Sequence, residues 1–167
     1  EQYDEMINFI DLREEKFGSK GILIKRSYVE ILRENLKEAW KYFNQIPEEE
    51  KDTLEFFLLE AELELNAGNL RESEASYIKA ALKSEDNSEI LDRLANISVA
   101  QEKYEQAAEY LEQILDIDPD FPTAKARLAF IRFEIGAKEP FDELMMNFDD
   151  DELRDLMRFI SSDDEKD

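Results

Sequence analysis

The sequence predicts an all-α protein, an α-solenoid of stacked antiparallel helix hairpins. Three observations predict it. Apolar residues recur three and four apart, as on one face of a helix. The same pattern returns every 34 residues, in "ENLKEAWKYFNQI" from Glu34, "GNLRESEASYIKA" from Gly68 and "EKYEQAAEYLEQI" from Glu102. Gly and Pro number only four each, too few for a turn-rich β fold or for long disordered linkers.

Taken in order, "YDEMINFIDLREEKF" places Tyr3, Met6, Ile7 and Ile10 on one helical face ahead of a "GSKG" break. Residues 1–19 are expected to form a cap or the second helix of an eroded earlier repeat. Residues 20–53 form the first complete unit. Its second helix carries Leu36, Ala39, Phe43 and Ile46 as one stripe, and its first helix fits if Ile24, Ser27, Tyr28 and Ile31 point inward. Residues 54–87 repeat the unit with Leu70, Ser73, Tyr77 and Ala80; Glu60 and Glu64 stand in its first helix at places where apolar residues are expected. Residues 88–121 show it most clearly. Ile90, Leu91, Leu94, Ala95 and Val99 share one face, and Tyr104, Ala107, Leu111 and Ile114 answer them. One residue of each stripe is small (Ala39, Ser73, Ala107), because two helices joined by a tight turn approach closely only where a side chain is nearly absent. Thr53, Ser88 and Thr123 are the expected helix N-caps. Residues 122–148 are a degenerate fourth copy, with Phe141 in place of the small residue beside Pro140. Residues 149–161, opening with acids suited to a helix N-terminus, predict a C-terminal capping helix, and 162–167 an acidic solvated tail.

A length of 167 residues suits one domain. Lys and Arg total 21 against 43 Asp and Glu, a net charge of −22. Such a chain is repelled by nucleic acids and anionic lipid, and it attracts basic partners. Without Cys or His the chain has no disulfide, thiol nucleophile, imidazole base or soft metal site. The lack of Cys leaves the compartment open. No run approaches the length of apolar sequence needed to span a bilayer.

Asp116, Asp118 and Asp120 mimic the opening of a calcium loop. Phe121 and Arg127 occupy the places where such a loop needs Gly and Glu, so "DIDPD" is expected to be an inter-repeat turn. The acidic runs at Glu48 and Asp149 are explained by solvation and helix dipoles. The serines have no His to activate them, and the glycines form no phosphate-binding pattern. No enzyme activity and no cofactor are expected.

A helix hairpin of 34 residues with these large and small positions, closed by Pro119, resembles the tetratricopeptide repeat. The resemblance covers Lys20 to Phe148. It implies a right-handed superhelix whose concave groove, lined by the first helix of each hairpin, binds a peptide segment of a protein partner. On that geometry the groove residues are Leu58, Glu62, Leu65, Asp92, Asn96, Val99, Ala126, Phe130 and Phe133. Some members hold a peptide carboxylate with Lys and Asn. Ile24, Tyr28, Leu58 and Glu62 supply neither, and Asp92 repels a carboxylate, so an apolar or basic segment is expected. The alternative is a structural arm that self-associates or belongs to a longer parent chain, favoured by a first residue other than Met.

Overall fold

The computed structural model describes residues 2–17, 20–121, 123–136 and Arg154. Eight α-helices are present among them: α1 (Gln2–Phe17), α2 (Ile22–Leu32), α3 (Leu36–Phe43), α4 (Leu54–Asn66), α5 (Leu70–Ala81), α6 (Ser88–Ala100), α7 (Tyr104–Ile117) and α8 (Ala124–Glu134). A short 3-10 helix, Glu48–Glu50, joins α3 to α4. The second half of the degenerate repeat and the predicted C-terminal cap lie outside the described residues.

Where the length suggested one domain, the chain divides into two compact units, Glu1–Glu85 and Asp86–Asp167. The division falls in the connector between α5 and α6. There the repeat has Glu85 at the place that Pro119 takes one period later.

In the first unit α2 pairs with α3 and α4 with α5, while α1 packs on α2 and α4 packs on both α2 and α3. Ile24, Ala39, Ile46, Phe56, Leu59 and Leu63 form its core. Phe43 stacks on Phe56 with centroids 5.1 Å apart, and Trp40 meets Phe43 edge-on. The inward set expected of α2 holds: Ile24 and Ser27 are buried and Tyr28 and Ile31 half-buried. Glu60 and Glu64, out of place by pattern alone, have donors waiting. Glu60 accepts from Ser76 Oγ at 2.6 Å and Glu64 from Asn69 Nδ2 at 2.7 Å. In the second unit α6 pairs with α7, and α8 packs on α7. Leu91, Leu94, Ala95, Ala107, Leu111, Ile114 and Ile131 are buried there.

The hairpins cross at the small residues. Ser27 and Ala39, Ala61 and Ser73, and Ala95 and Ala107 stand at the same two repeat positions, and all six are fully buried. In the first unit the serine hydroxyl uses the close approach to bond the facing backbone. Ser27 Oγ donates to the Ala39 carbonyl at 2.8 Å, and Ser73 Oγ to the Ala61 carbonyl at 2.9 Å. The turns repeat as faithfully. Glu34, Gly68, Glu102 and Gly136 all have a left-handed φ, of 59°, 80°, 59° and 70°. After the first three of these, the next amide closes on the carbonyl five residues back: Asn35 to Glu30, Asn69 to Glu64 and Lys103 to Ser98, at 2.8–2.9 Å.

Helix caps divide the expectations. Thr53 Oγ1 accepts from the Phe56 amide at 3.2 Å, as expected. Thr123 instead has a left-handed φ of 63° and makes no side-chain cap. Ser88 is the first helical residue of α6 and not its cap, and its buried hydroxyl has no partner. A hydroxyl caps only from an extended backbone, which Thr53 has and Thr123 lacks.

Candidate functional site

The first helices of the hairpins carry the predicted groove residues, and the two units treat them differently. In the first unit α2 and α4 lie side by side. Tyr28 of α2 is half-buried. Burial, and then the carboxylates of Glu62 and Glu55 on α4, push its phenol well above the ordinary range. Glu62 also accepts from Tyr77 Oη at 2.6 Å. Between the helices opens a cavity of about 440 Å³ whose walls include Ile24, Lys25, Tyr28, Thr53, Glu55 and Leu58. Leu58, Glu62 and Leu65 are half-buried, and Glu55 is exposed at the rim. The α2 end of this cavity is fixed by the connector, since Glu50 Oε2 accepts from the Gly21 amide at 3.0 Å. That gives one acid of the "EEE" run a defined role at the start of α2.

In the second unit Arg127 of α8 is only 5 % exposed and reaches α6. Its guanidinium donates to Asp92 Oδ1 and, at 2.6 Å, to Asn96 Oδ1; Asn96 Nδ2 in turn approaches Asp92 Oδ2 at 3.4 Å. The charge of Asp92 is therefore answered within the unit, and Asn96 is held by the same cation. Ala126 is buried, Val99 and Phe130 are half-buried, and Phe133 is 54 % exposed. Of the predicted residues, Leu58 thus lines an apolar slot whose charged members are Lys20, Lys25, Glu50 and Glu55, while Glu62 and Leu65 lie further along α4. Asp92 and Asn96 join Arg127 in a neutralised polar triad on α6 and α8.

Three residues of weight escaped the prediction. Tyr28 and Glu55 line the first slot, and Arg127 organises the second face. The helix stripe already placed Tyr28 inward. The spacing of 35 residues between Asp92 and Arg127, close to one period, is the available signal for their pairing. As for "DIDPD", Asp118 ends α7 and bends the chain, accepting from the Asp120 amide with Oδ1 at 3.1 Å and from the Phe121 amide with its carbonyl at 3.1 Å. Among the described residues no cluster of three acids could hold a metal ion, and no helix is long and apolar enough to cross a membrane.

Stacked helix hairpins with a fixed repeat define a helical-repeat scaffold. Residues 98–144 match the family model of the tetratricopeptide repeat. The fold is similar to that of the crystal structure of MamA, with a TM-score of 0.71 at 11 % identity, over 95 % of this chain and 91 % of that one. Eleven chains of solved structures match, and no curated protein does. The match over residues 98–144 and the shared fold mark the chain as an α-solenoid with tetratricopeptide-type repeats.

Proposed function

We propose that the scaffold binds an extended apolar and basic segment of a partner protein in the slot between α2 and α4. The observation that carries this is an apolar pocket walled by Ile24, Tyr28 and Leu58, with Lys20 and Lys25 at its α2 end and Glu55 on its α4 wall, next to which Glu62 adds a second carboxylate near the Tyr28 phenol. An apolar side chain of the segment fills the pocket, and a neighbouring Lys or Arg meets the rim carboxylates. The net charge of −22 steers such a segment toward the protein from a distance.

The face of α6 and α8 contributes less to a basic ligand, because Arg127 already neutralises Asp92. Asn96, Val99, Phe130 and Phe133 offer contact area there, and Ala126 supports it from below.

Two synthetic heptapeptides test the reading, one alternating Leu and Lys and one alternating Leu and Glu. The Lys peptide is expected to bind about 10-fold or more tightly, an advantage that shrinks with added salt. Glu55→Lys should remove the preference, and Leu58→Ala should weaken binding of the Lys peptide. Equal affinity for the two peptides, or indifference to both substitutions, contradicts the proposed mode.

A further inference from the structure

The slot between α2 and α4 carries charge of both signs, sorted by wall. Lys25 and, just ahead of α2, Lys20 stand on one side, and Glu55 of α4 stands on the other. The neighbouring acids are already engaged. Glu50 Oε2 accepts from the Gly21 amide at 3.0 Å, and Glu62 Oε1 from Tyr77 Oη at 2.6 Å. Elsewhere in this unit opposite charges within reach pair off: Arg26 with Asp11, Arg33 with Glu30, and Lys83 with Asp52. The slot is the exception. Among the described residues, the side chains of Lys20, Lys25 and Glu55 form no ion pair and no hydrogen bond. They face a common cavity and do not meet across its apolar floor of Ile24, Tyr28 and Leu58. A ligand that carries the complementary pair of charges can answer both walls at once.

We propose that the segment received here is bipolar: an apolar residue flanked by an acid on one side and a base on the other. The inference rests on the reading of the slot as a peptide site and adds to it a second, anionic anchor. The acid pairs with Lys25, with Lys20 beside it, and the base pairs with Glu55. The apolar residue lies between them on Ile24, Tyr28 and Leu58. The spacing follows from extended backbone, in which residues i, i+2 and i+4 point the same way and span about 13 Å. Packed helices lie about 8–10 Å apart, axis to axis, and side chains on their outer edges add the rest. The pattern is therefore acid-x-apolar-x-base, read across the slot from α2 to α4. The long-range field makes the opposite choice. At −22 the protein repels any added acid, so a segment selected by field alone carries only bases. A segment selected by the walls of the slot keeps its acid, because salt that screens distant charges leaves more of a contact pair.

Three labelled heptapeptides, followed by anisotropy, test the proposal. All have Ser at the odd positions, Leu at the fourth and Lys at the sixth; the second position is Glu, Gln or Lys. At about 0.15 M salt, where the Debye length is about 8 Å, the Glu peptide should bind about 3-fold or more tightly than either other. Field alone puts the Lys peptide first and the Glu peptide last. Lys25→Gln should erase the advantage of Glu over Gln, and Lys25→Glu should make the Lys peptide the tightest, both with an unchanged melting temperature. Leu58→Ala should weaken the Glu peptide, which ties the gain to this slot rather than to the cavity between α1 and α2 that Lys25 also borders. A Gln peptide that binds as tightly as the Glu peptide overturns the bipolar assignment, as does an advantage of Glu that survives Lys25→Gln. The two readings fail differently. If the Lys peptide leads and Glu55→Lys weakens it, the slot remains a site for basic segments and only the anionic anchor is lost. If Glu55→Lys and Leu58→Ala change no affinity, the slot is the wrong site and both readings fall.

Discussion

The faces of α2–α4 and α6–α8 are built from equivalent helices of one repeat, yet they spend their charges in different ways. On α6–α8 the acid is matched from within: Arg127 is buried and fastens Asp92 and Asn96. On α2–α4 Glu55 stays at the rim of an apolar slot, and Glu62 is bonded by a neutral phenol. The residue type at a groove position therefore does not decide whether the position is available to a ligand. The partner about one period later decides it.

The contrast is most exposed to Arg127→Met. Removing the cation leaves Asp92 and Asn96 without their donor, and stability is expected to fall by about 2–3 kcal/mol, somewhat less than for breaking a fully buried pair because Asp92 keeps some solvent. Glu62→Gln in the other unit should cost about 1 kcal/mol or less, since a neutral hydrogen bond to Tyr77 survives in altered form. Urea unfolding of both variants checks the pair; equal losses would erase the distinction between a neutralised face and an open one.

The helix crossings sharpen the comparison at a smaller scale. Ser73→Ala in the first unit should cost about 1 kcal/mol, the worth of a buried hydrogen bond to a backbone carbonyl. Ala107→Ser places a hydroxyl at the equivalent position of the second unit, where the Ala95 carbonyl is its expected acceptor, and should cost less than about 0.5 kcal/mol. Thermal melts resolve the two. A large loss for Ala107→Ser would show that the crossings are not equivalent.

The turns are expected to behave alike in both units. Glu34→Gly and Glu102→Gly relieve a left-handed backbone and should each stabilise by about 0.5–1 kcal/mol, while Gly68→Ala should lose a similar amount. Denaturant midpoints test the three together.

The smallest effect at neutral pH belongs to Tyr28. Its folded phenol titrates above the ordinary value of 10.0. The unfolded chain thus releases that proton first as pH rises, so stability is unaffected below pH 10 and is lost above it. Phenolate absorbance should show one late-titrating tyrosine that Tyr28→Phe removes. Persistence of the late phase in that variant would place the shifted phenol elsewhere.

Much of this architecture is legible in the sequence because its cause is periodic. The stripes of Leu36, Leu70 and Tyr104 and their small partners mark both the helices and their crossings. The turns were less legible, since Glu34 and Glu102 hold a backbone conformation that Glu rarely signals. Caps failed for a related reason: Ser88 and Thr123 have the right side chains on the wrong backbone. Of the candidate site, Leu58 lines the slot, while Glu62 and Leu65 lie one and two turns further along α4. Asp92 and Asn96 proved to be tied to Arg127, a contact between helices that no single-helix spacing encodes. The register of α1 was hidden too. Its inward residues Ile7 and Ile10 follow α2, while the repeat positions Glu5, Phe9 and Leu12 face outward.

The proposed function has the slot between α2 and α4, rather than the neutralised face of α6 and α8, receive the basic segment. Residue-by-residue amide shifts during titration with the Leu–Lys heptapeptide test it most directly. The largest and saturable changes are expected at Tyr28, Glu55, Leu58 and Glu62, with Asp92, Asn96 and Phe130 little altered. Saturable changes centred on Asp92, Asn96 and Phe130, with α2 and α4 silent, would contradict it.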